Sequence, residues 1–385
     1  MKILTLGAGW MGSAVAYDLI RFGRGHTVAV ADKDPANLRA TASMLGDRPV
    51  THEIDADDEG DLRKLFEGYD IVVSALPYSF NARLSRTAIE NGTHFLDLGG
   101  NSDIVREQLA LNDRACEAGV AIIPDCGLAP GLSNILAMTG YRKFDRVDSI
   151  HARVGGLPQH PRPPLGYQLT FSVEGLLNEY LEDAEAIIDG RRTVVPSMTG
   201  LEELTFREPY GKLEAFYTSG GLSVLPEYLD GKVSELSYKT IRYRGHCDKF
   251  KSLIDIGFAG SEPVMVGGGV HTSRELFAAL LRKKLSGTDQ DVVLFRVDIG
   301  GSVGGEKKML RYEMIDRYDP ETKMTAMMRA TAYPTSAIAL MLADSIIGNR
   351  GAFVPEWGVD GTLLMAELKK RGIAVETSWS MLPWG

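Results

Sequence analysis

The sequence has little cysteine, no long apolar run and no block of basic residues. Its three cysteines, Cys116, Cys126 and Cys247, are odd in number and widely spaced. That pattern suits neither a disulfide framework nor a zinc site, so no structural disulfide and no metal are expected. No apolar stretch approaches the roughly 20 residues needed to cross a bilayer. A strand pattern that begins at Lys2 leaves no room for a signal peptide, and a reducing cytoplasm is the expected compartment. The formal charge of −9, with Arg282-Lys283-Lys284 as the densest basic cluster, argues against a nucleic-acid partner. No internal repeat or low-complexity segment interrupts the chain. What remains is 385 residues with 44% hydrophobic content, enough for two domains with cores of their own.

The first dozen residues are the most informative. The apolar run Lys2-Ile3-Leu4-Thr5-Leu6 enters Gly7-Ala8-Gly9-Trp10-Met11-Gly12. Gly7 allows a sharp turn off a strand, Gly9 lets backbone approach a pyrophosphate, and Gly12 lets the following helix pack close to the strand. Val15, Leu19 and Phe22 share one face of that helix, and Gly23 is a natural stop. His26 to Ala31 reads as a second strand. Asp32 follows Gly12 by 20 residues, the spacing of an acid that binds a ribose 2′-hydroxyl. A carboxylate there repels a 2′-phosphate and favours NAD over NADP, although Lys33 beside it softens the preference.

The strand–helix alternation continues. Helices are expected over 38–45, 61–66, 81–91 and 104–118, and strands over 50–55, 69–75, 94–98 and 120–124. Such alternation predicts an α/β Rossmann-type, doubly wound parallel sheet, with ligands gathered at the C-terminal strand ends. Ile54 and Asp55 fall where an adenine ring rests. Ala75-Leu76-Pro77, Gly99-Gly100-Asn101 and Pro124-Asp125-Cys126-Gly127 mark three further strand ends. Near residue 145 the pattern changes. A strand over 146–154, a rigid Gly/Pro loop over 155–164, and alternating runs over 292–299 and 309–318 joined by a loose Gly300–Gly305 hairpin predict an α+β second domain with a mainly antiparallel sheet. Gly267-Gly268-Gly269 reads as a turn. An apolar helix over 334–347 suits burial against the first domain. The expected division is therefore 1–130 for the nucleotide domain, with 331–385 partly returning to it, and 131–330 for substrate binding and dimerisation.

At this point Pro124-Asp125-Cys126-Gly127-Leu128-Ala129-Pro130-Gly131 resembles the signature of the saccharopine dehydrogenase-like family. Gly155 to Gln159, Pro163 to Tyr167, Phe171 to Gly175, Lys212 to Phe216, Thr218 to Gly221, Thr240 to Tyr243 and Gly245-His246 are similar to its lysine 6-dehydrogenase branch. The resemblance implies a homodimer. It also implies NAD-dependent oxidation of the lysine ε-amine carbon to 2-aminoadipate 6-semialdehyde and ammonia, the aldehyde closing to a cyclic imine. Lysine or saccharopine is then the amino-acid substrate. A saccharopine dehydrogenase with a larger substrate is one alternative, and a non-catalytic NAD-responsive binding protein is another. A sugar or inositol dehydrogenase is disfavoured, because no Glu-Lys-Pro follows a nucleotide-domain strand.

Hydride leaves a carbon bearing nitrogen only when that nitrogen has a lone pair, so an ε-ammonium of pKa about 10.4 must first lose a proton. Asp125, at a strand end, is the first candidate base; it also reads as a turn acid before Gly127. Glu174, an acid in the apolar stretch Phe171–Gly175, is the second; it also reads as a cap or ion-pair partner. Cys126 is set aside as a nucleophile, since amine oxidation needs no covalent intermediate. A substrate carboxylate calls for a guanidinium, and Arg242 is the choice among Arg153, Arg162, Lys212, Arg242 and Arg244. Thr218, Ser219 and Gly220 offer hydroxyl and backbone donors, or simply a turn. His246 could hold a carboxylate or shuttle a proton, or be structural. Tyr243 and Tyr167 could wall the pocket or fill a core.

Overall fold

The computed structural model describes residues 1–46, 49–287 and 290–381. Two compact units are present. Unit 1 comprises Met1–Lys143, Leu222–Leu225 and Met328–Ala374; unit 2 comprises Phe144–Gly221, Pro226–Met327 and the chain from Val375. In chain order the elements are β1 (Lys2–Leu6), α1 (Trp10–Phe22), β2 (Thr27–Asp32), α2 (Pro35–Leu45), β3 (Val50–Glu53), α3 (Glu59–Phe66) and β4 (Ile71–Ser74). Then come α4 (Asn81–Glu90), β5 (His94–Asp97), α5 (Ser102–Leu109), α6 (Asn112–Glu117), β6 (Ala121–Ile123) and α7 (Leu132–Tyr141). The middle of the chain holds β7 (Arg146–Pro158), α8 (Val173–Leu181), β8 (Ala184–Ile188), β9 (Arg191–Val195), β10 (Glu202–Phe206), β11 (Gly211–Tyr217), α9 (Leu225–Leu229) and β12 (Glu235–Tyr243). Next are α10 (His246–Ile256), β13 (Pro263–Val266), β14 (Gly269–Thr272), α11 (Ser273–Leu285), β15 (Asp291–Val303) and β16 (Glu306–Arg317). Last are α12 (Ala326–Ala343), β17 (Gly351–Ala352), α13 (Pro355–Gly358), α14 (Gly361–Lys370) and β18 (Glu376–Met381).

Unit 1 is a parallel sheet in the order β17-β6-β5-β4-β1-β2-β3. Its inner strands are near-continuous apolar runs, as strands covered on both faces must be. Leu4, Leu6, Val72, Phe95 and Ile122 meet Phe66 and Leu84 in one core. The order reverses between β1 and β4, which opens a crevice at the C-terminal strand ends. Unit 2 carries a nine-stranded mixed sheet along the path β10-β11-β12-β7-β15-β16-β18, with β8 and β9 branching from β12. Only β12 and β7 run parallel; the other pairs are antiparallel. One face packs Leu176, Leu177 and Tyr180 of α8 with Phe216, Phe250 and Phe277. The opposite face packs Leu213, Ala215, Ile241 and Tyr243.

Several boundaries differ from expectation for identifiable reasons. The helix expected over 104–118 breaks between α5 and α6. There Leu111 turns into the core and the Asn112 side chain accepts the Ala352 N–H at 3.2 Å. The loop expected from Gly155 is strand as far as Pro158. Gly155 lies where strands approach closely, since a Cβ there would stand 2.4 Å from the Ile241 carbonyl oxygen. The hairpin shortens to Gly304-Gly305, because β15 and β16 remain paired to Val303 and Glu306. The helix expected from Pro334 begins at Ala326, its first N–H groups capped by the distant Asp291 carboxylate at 2.7 and 3.0 Å. The return to unit 1 ends at Ala374, and β18 pairs with β16.

That return is held by a buried ion pair. Arg371 Nε donates to both Asp18 oxygens at 2.8 and 3.0 Å, and both side chains are fully buried. Ser336 donates to the same carboxylate, and the guanidinium lies 4.3 Å from the Phe22 ring centroid. α1, α12 and the end of α14 are thereby joined. Removing one member strands a charge in the interior, whereas replacing both with apolar residues does not. Arg371→Met is expected to lower unfolding free energy by about 3–5 kcal/mol in denaturant titration, and the double change Asp18→Leu/Arg371→Met to recover part of that loss.

Candidate functional site

The glycine turn of unit 1 has two distinct parts. A Cβ on Gly12 would stand 1.8 Å from the Gly7 carbonyl oxygen, whereas one on Gly9 meets nothing within 4 Å. Gly12 is therefore required by packing, and Gly9 borders open space. Gly7, at φ 93°, turns the chain and donates to Ala31 at 2.7 Å. α1 starts at Trp10 with no side-chain cap, so the N–H groups of its first turn, from Trp10 and Met11 onward, are available to an anion. Trp10 itself is exposed. Asp32 ends β2. Its Oδ2 accepts the Ala8 N–H at 2.6 Å and its Oδ1 the Asp34 N–H at 2.8 Å. The carboxylate is thus fixed beside the turn with lone pairs left for a hydroxyl.

The other expected nucleotide residues lie along the same strand-end edge. Ile54 donates to the Asp32 carbonyl at 3.1 Å, and Asp55 caps the turn that follows through Asp57 at 3.1 Å. Ala75 donates to Leu6 at 2.8 Å, and Leu76-Pro77 lead into a short 3₁₀ turn. Gly99 and Gly100 have φ of 79° and 128°. Asn101 spends its side-chain oxygen on capping α5, accepting from Asp103 and Ile104 at 3.0 and 3.2 Å. The cradle, the free helix start and the strand-end acid together fit a dinucleotide.

Behind this edge lies a cluster of buried carboxyls. Asp97, at the end of β5, accepts from Gly99, Asp125 and Gln108 at 2.7, 3.2 and 2.7 Å, while burial pushes its carboxyl up to about 6. Asp125 sits just past β6 at φ 60°, sealed from solvent, with the Ser223 hydroxyl on Oδ2. A Cβ on Gly99 would stand 2.0 Å from its Oδ1, so only glycine leaves room for it. Burial, then the charge of Asp97, hold Asp125 well above the usual carboxylate range. Burial likewise raises Glu356 to about 7. The Cys126 thiol is buried and pushed well up, first by desolvation and then by the same acids. It is a packing thiol and not a nucleophile.

In unit 2 the helix-covered face of the sheet centres on Arg242, which is 2% exposed. Its Nε donates to the Tyr180 hydroxyl at 2.7 Å and its Nη1 to the Ile241 carbonyl at 2.9 Å. The guanidinium lies over the rings of Tyr167 and Tyr180, at 4.6 and 5.6 Å. Tyr180 in turn meets His246 Nε2 at 3.0 Å, and His246 Nδ1 meets the Leu165 carbonyl at 3.1 Å. A carbonyl only accepts, so Nδ1 carries the proton and Nε2 accepts from Tyr180. Burial, reinforced by Arg242, lowers His246 to about 3. It stays neutral and positions Tyr180, and it shuttles no proton near neutrality.

Three expectations are corrected here. Glu174 does not enter the interior: it stands in the exposed first turn of α8 and pairs with Arg282 at 2.6 Å. The helix turns its apolar neighbours inward and Glu174 outward. Tyr243 is one residue from Arg242, so the pleat places it on the opposite face, where its hydroxyl donates to Pro158 at 2.9 Å. Thr218 and Ser219 are not free donors. Thr218 bonds Thr240 at 2.7 Å, and the Ser219 N–H donates to the Glu179 carbonyl at 3.1 Å. Gly221 lies flat on the Tyr238 ring, 2.4 Å from a would-be Cβ, while Gly220 turns at φ 87° with nothing near it. Glu179 and Tyr180 were missed. Their only signal is helical spacing, which places Tyr180 on the stripe of Val173, Leu176 and Leu177. Among the described residues no metal-binding cluster occurs, and no helix is long and apolar enough to cross a membrane.

A wound parallel sheet with a glycine cradle, followed by a mixed-sheet unit, defines a two-unit Rossmann-type protein. Two family models match it in sequence: the saccharopine dehydrogenase NADP binding domain over residues 3–123, and the saccharopine dehydrogenase C-terminal domain over residues 127–373. The chain belongs to the saccharopine dehydrogenase family. A relative from Saccharomyces cerevisiae, saccharopine dehydrogenase [NADP(+), L-glutamate-forming], is 25% identical over 66% of this chain and 58% of its own length. The mitochondrial alpha-aminoadipic semialdehyde synthase of Rattus norvegicus is 25% identical over 68% of this chain and 29% of its own. The chain thus spans little more than half of the first relative and under a third of the second. Among solved structures, the apo L-Glu-forming saccharopine dehydrogenase from Saccharomyces cerevisiae superimposes with a TM-score of 0.81 at 20% identity, covering 98% of this chain and 99% of that one. The homospermidine synthase of Legionella pneumophila in complex with NAD gives 0.68 at 12% identity, covering 100% and 92%. At these identities the superpositions establish the fold.

Two predictions follow from the geometry of unit 1. Gly9→Ala is expected to melt like the parent while binding NADH more weakly. Gly12→Ala is expected to lose about 1–3 kcal/mol, because its methyl meets backbone. Thermal melts and fluorescence titration distinguish the two. Glu356 has a folded pKa near 7, above its unfolded value, so its protonated form suits the fold. Stability is fully present below about 4.5 and is lost as pH rises through about 7. Glu356→Gln should therefore gain on the order of 2–3 kcal/mol over the parent at pH 8, with the gap closing near pH 4.5 in matched denaturant titrations.

Proposed function

We propose that this protein oxidises the ε-carbon of free L-lysine with NAD, giving 2-aminoadipate 6-semialdehyde, which closes to piperideine-6-carboxylate, and ammonia. The observation that carries the reading is the solitary buried guanidinium of Arg242. Among the described residues it has no carboxylate partner in an ion pair, so it offers one strong seat for one carboxylate. Arg153 and Lys239 do not add to it. They pair across β7 and β12 at odd offset from Arg242, on the other face of the sheet, and both bind Glu202. Free lysine carries one carboxylate; saccharopine carries three.

A nicotinamide nucleotide supplies the hydride acceptor when bound. The chain's own residues hold the partners and move the proton. Asp125, kept basic by burial and by Asp97, is assigned the proton from the ε-ammonium, with the Ser223 hydroxyl against it. Loss of that proton and of hydride leaves an iminium, and water then gives aldehyde and ammonium. Asp32 supports NAD although the family model and the yeast relative are named for NADP, because a fixed carboxylate repels a 2′-phosphate. The reading includes a homodimer, on the resemblance, and a reducing cytoplasmic setting, on three free thiols.

A second reading, saccharopine oxidation, draws on the relatives' names and on a cavity of about 210 Å³ whose lining includes His160, Arg162, Lys284 and Tyr167. Arg162 and Lys284 bring positive charge to that lining, as further carboxylates would require. Reduced-nucleotide production from lysine, saccharopine and 1,5-diaminopentane, each with NAD and with NADP, separates the readings. Lysine with NAD is expected to dominate, and deletion of the carboxylate in 1,5-diaminopentane to cost at least tenfold in kcat/KM. Saccharopine turnover with inert lysine would overturn the assignment. Because Asp125 must ionise from a raised pKa, lysine turnover should rise with pH, and the rise should lie above the usual carboxylate range. Asp125→Asn should bind NADH normally, turn over at least a hundredfold more slowly and lose that rise.

A further inference from the structure

The same face of unit 2 carries a carboxylate with no assigned role. Glu179 lies near the C-terminal end of α8, next to Tyr180, in a position surrounded by protein yet reached by solvent. Its backbone carbonyl is pinned by the Ser219 N–H at 3.1 Å, and the Ser219 hydroxyl binds the Asn178 carbonyl at 3.4 Å. Asn178 is fixed in turn by Arg274 at 2.6 Å. The helix end is therefore clamped, and with it the backbone from which the Glu179 side chain extends. Its carboxylate has no hydrogen-bond or ion-pair partner among the described residues. Arg242 feels its charge without pairing with it, and the Arg242 Nη2 likewise has no acceptor among the described residues. Burial raises the Glu179 carboxyl to about 7, against the opposing pull of Arg242. A carboxylate left uncompensated in such a place favours a cation.

We infer that Glu179 and Arg242 form a zwitterion seat, Arg242 taking the α-carboxylate and Glu179 the α-ammonium of one free amino acid. The inference rests on the amino-acid reading above and deepens it. An α-amino acid holds its two charged groups on one carbon, so it fits between a guanidinium and a carboxylate that sense each other without touching and are unpaired among the described residues. Binding neutralises both in one step. Tyr180, fixed by His246, sets the guanidinium, and the Ser219 clamp holds the stretch of backbone that carries the carboxylate. Glu179 is then a specificity residue that reads the end of the substrate remote from the oxidised carbon. It is distinct from the base.

The test compares L-lysine with 6-aminohexanoate, which lacks only the α-amine. In the wild-type protein lysine should exceed 6-aminohexanoate in kcat/KM by about 10- to 100-fold. Glu179→Gln should lower the lysine value to near that of 6-aminohexanoate and leave the latter within about twofold. Glu179→Asp should recover part of the lysine preference. Equal losses on both substrates, or no loss on lysine, would overturn the seat. Calorimetric binding of lysine and saccharopine to the NADH-loaded protein is the second measurement, since both ligands carry an α-ammonium beside an α-carboxylate. If lysine is not oxidised but these ligands bind and weaken at least tenfold in Glu179→Gln, the seat stands and the proposed reaction falls. If neither ligand binds the wild type, the seat falls.

Discussion

A guanidinium withdrawn from water, with no carboxylate bonded to it among the described residues, governs the arrangement of unit 2. Burying a lone cation is costly unless its N–H groups find oxygens and its charge finds polarisable faces. Arg242 obtains both from tyrosine: a hydroxyl on Nε, and two rings beside the plane. That solution propagates. Tyr180 can accept from Arg242 only if its own proton goes elsewhere, and His246 takes it. His246 can accept only as the Nδ1–H tautomer, and the Leu165 carbonyl fixes that tautomer. One buried charge thus orders a strand, a helix, a helix start and a loop. Arg242 Nη2 finds no acceptor among the described residues, and that is the physical reason for placing the proposed ligand seat on this face.

Unit 1 faces the converse difficulty, an excess of acid. Asp97, Asp125 and Glu356 are all buried and all raised by desolvation. Asp97 is less raised than Asp125, for its two oxygens receive three donors. Asp125 has the added repulsion of Asp97 and is driven further. Proximity of like charges therefore separates two carboxyls of one type into a weaker and a stronger base, the arrangement that acid–base chemistry exploits. Gly99 is part of that arrangement, since any larger residue would displace the Asp125 carboxyl.

Legibility in the sequence followed the range of the interaction. The nucleotide half was readable because its determinants are local: a glycine that must touch Gly7, a helix start four residues beyond the first strand, an acid at the next strand end. Fold class was readable from alternation alone. Arg242 was legible as a candidate because a strand residue between apolar neighbours has few reasons to be arginine, and the fold shows it buried. Glu174 and Glu179 show the limit. Both are acids on one short helix among leucines, and composition favours the first. Helical phase decides otherwise, and the phase depends on where α8 begins, at the Ser172 cap, which a window of apolar residues does not locate. Thr218 and Ser219 failed differently. Their hydroxyl and amide groups are available in sequence, but the tertiary fold consumes them on Thr240 and on α8. The Asp291 cap on α12, 35 residues away, was beyond any local pattern.

Cofactor choice shows why a family label and a residue can point apart. A family model describes the common scaffold, here the glycine turn and the first helix, which receive the pyrophosphate shared by both nucleotides. NAD and NADP differ only at the ribose 2′ position, so a single strand-end side chain separates them. In this chain that side chain is a carboxylate, and backbone N–H groups of Ala8 and Asp34 lock it in place. Those bonds prevent the side chain from swinging aside for a phosphate. Lys33 is exposed and one residue further on, where solvent screens its charge. Fixed negative charge at this strand end is the physical basis for proposing NAD, although the family model is named for NADP.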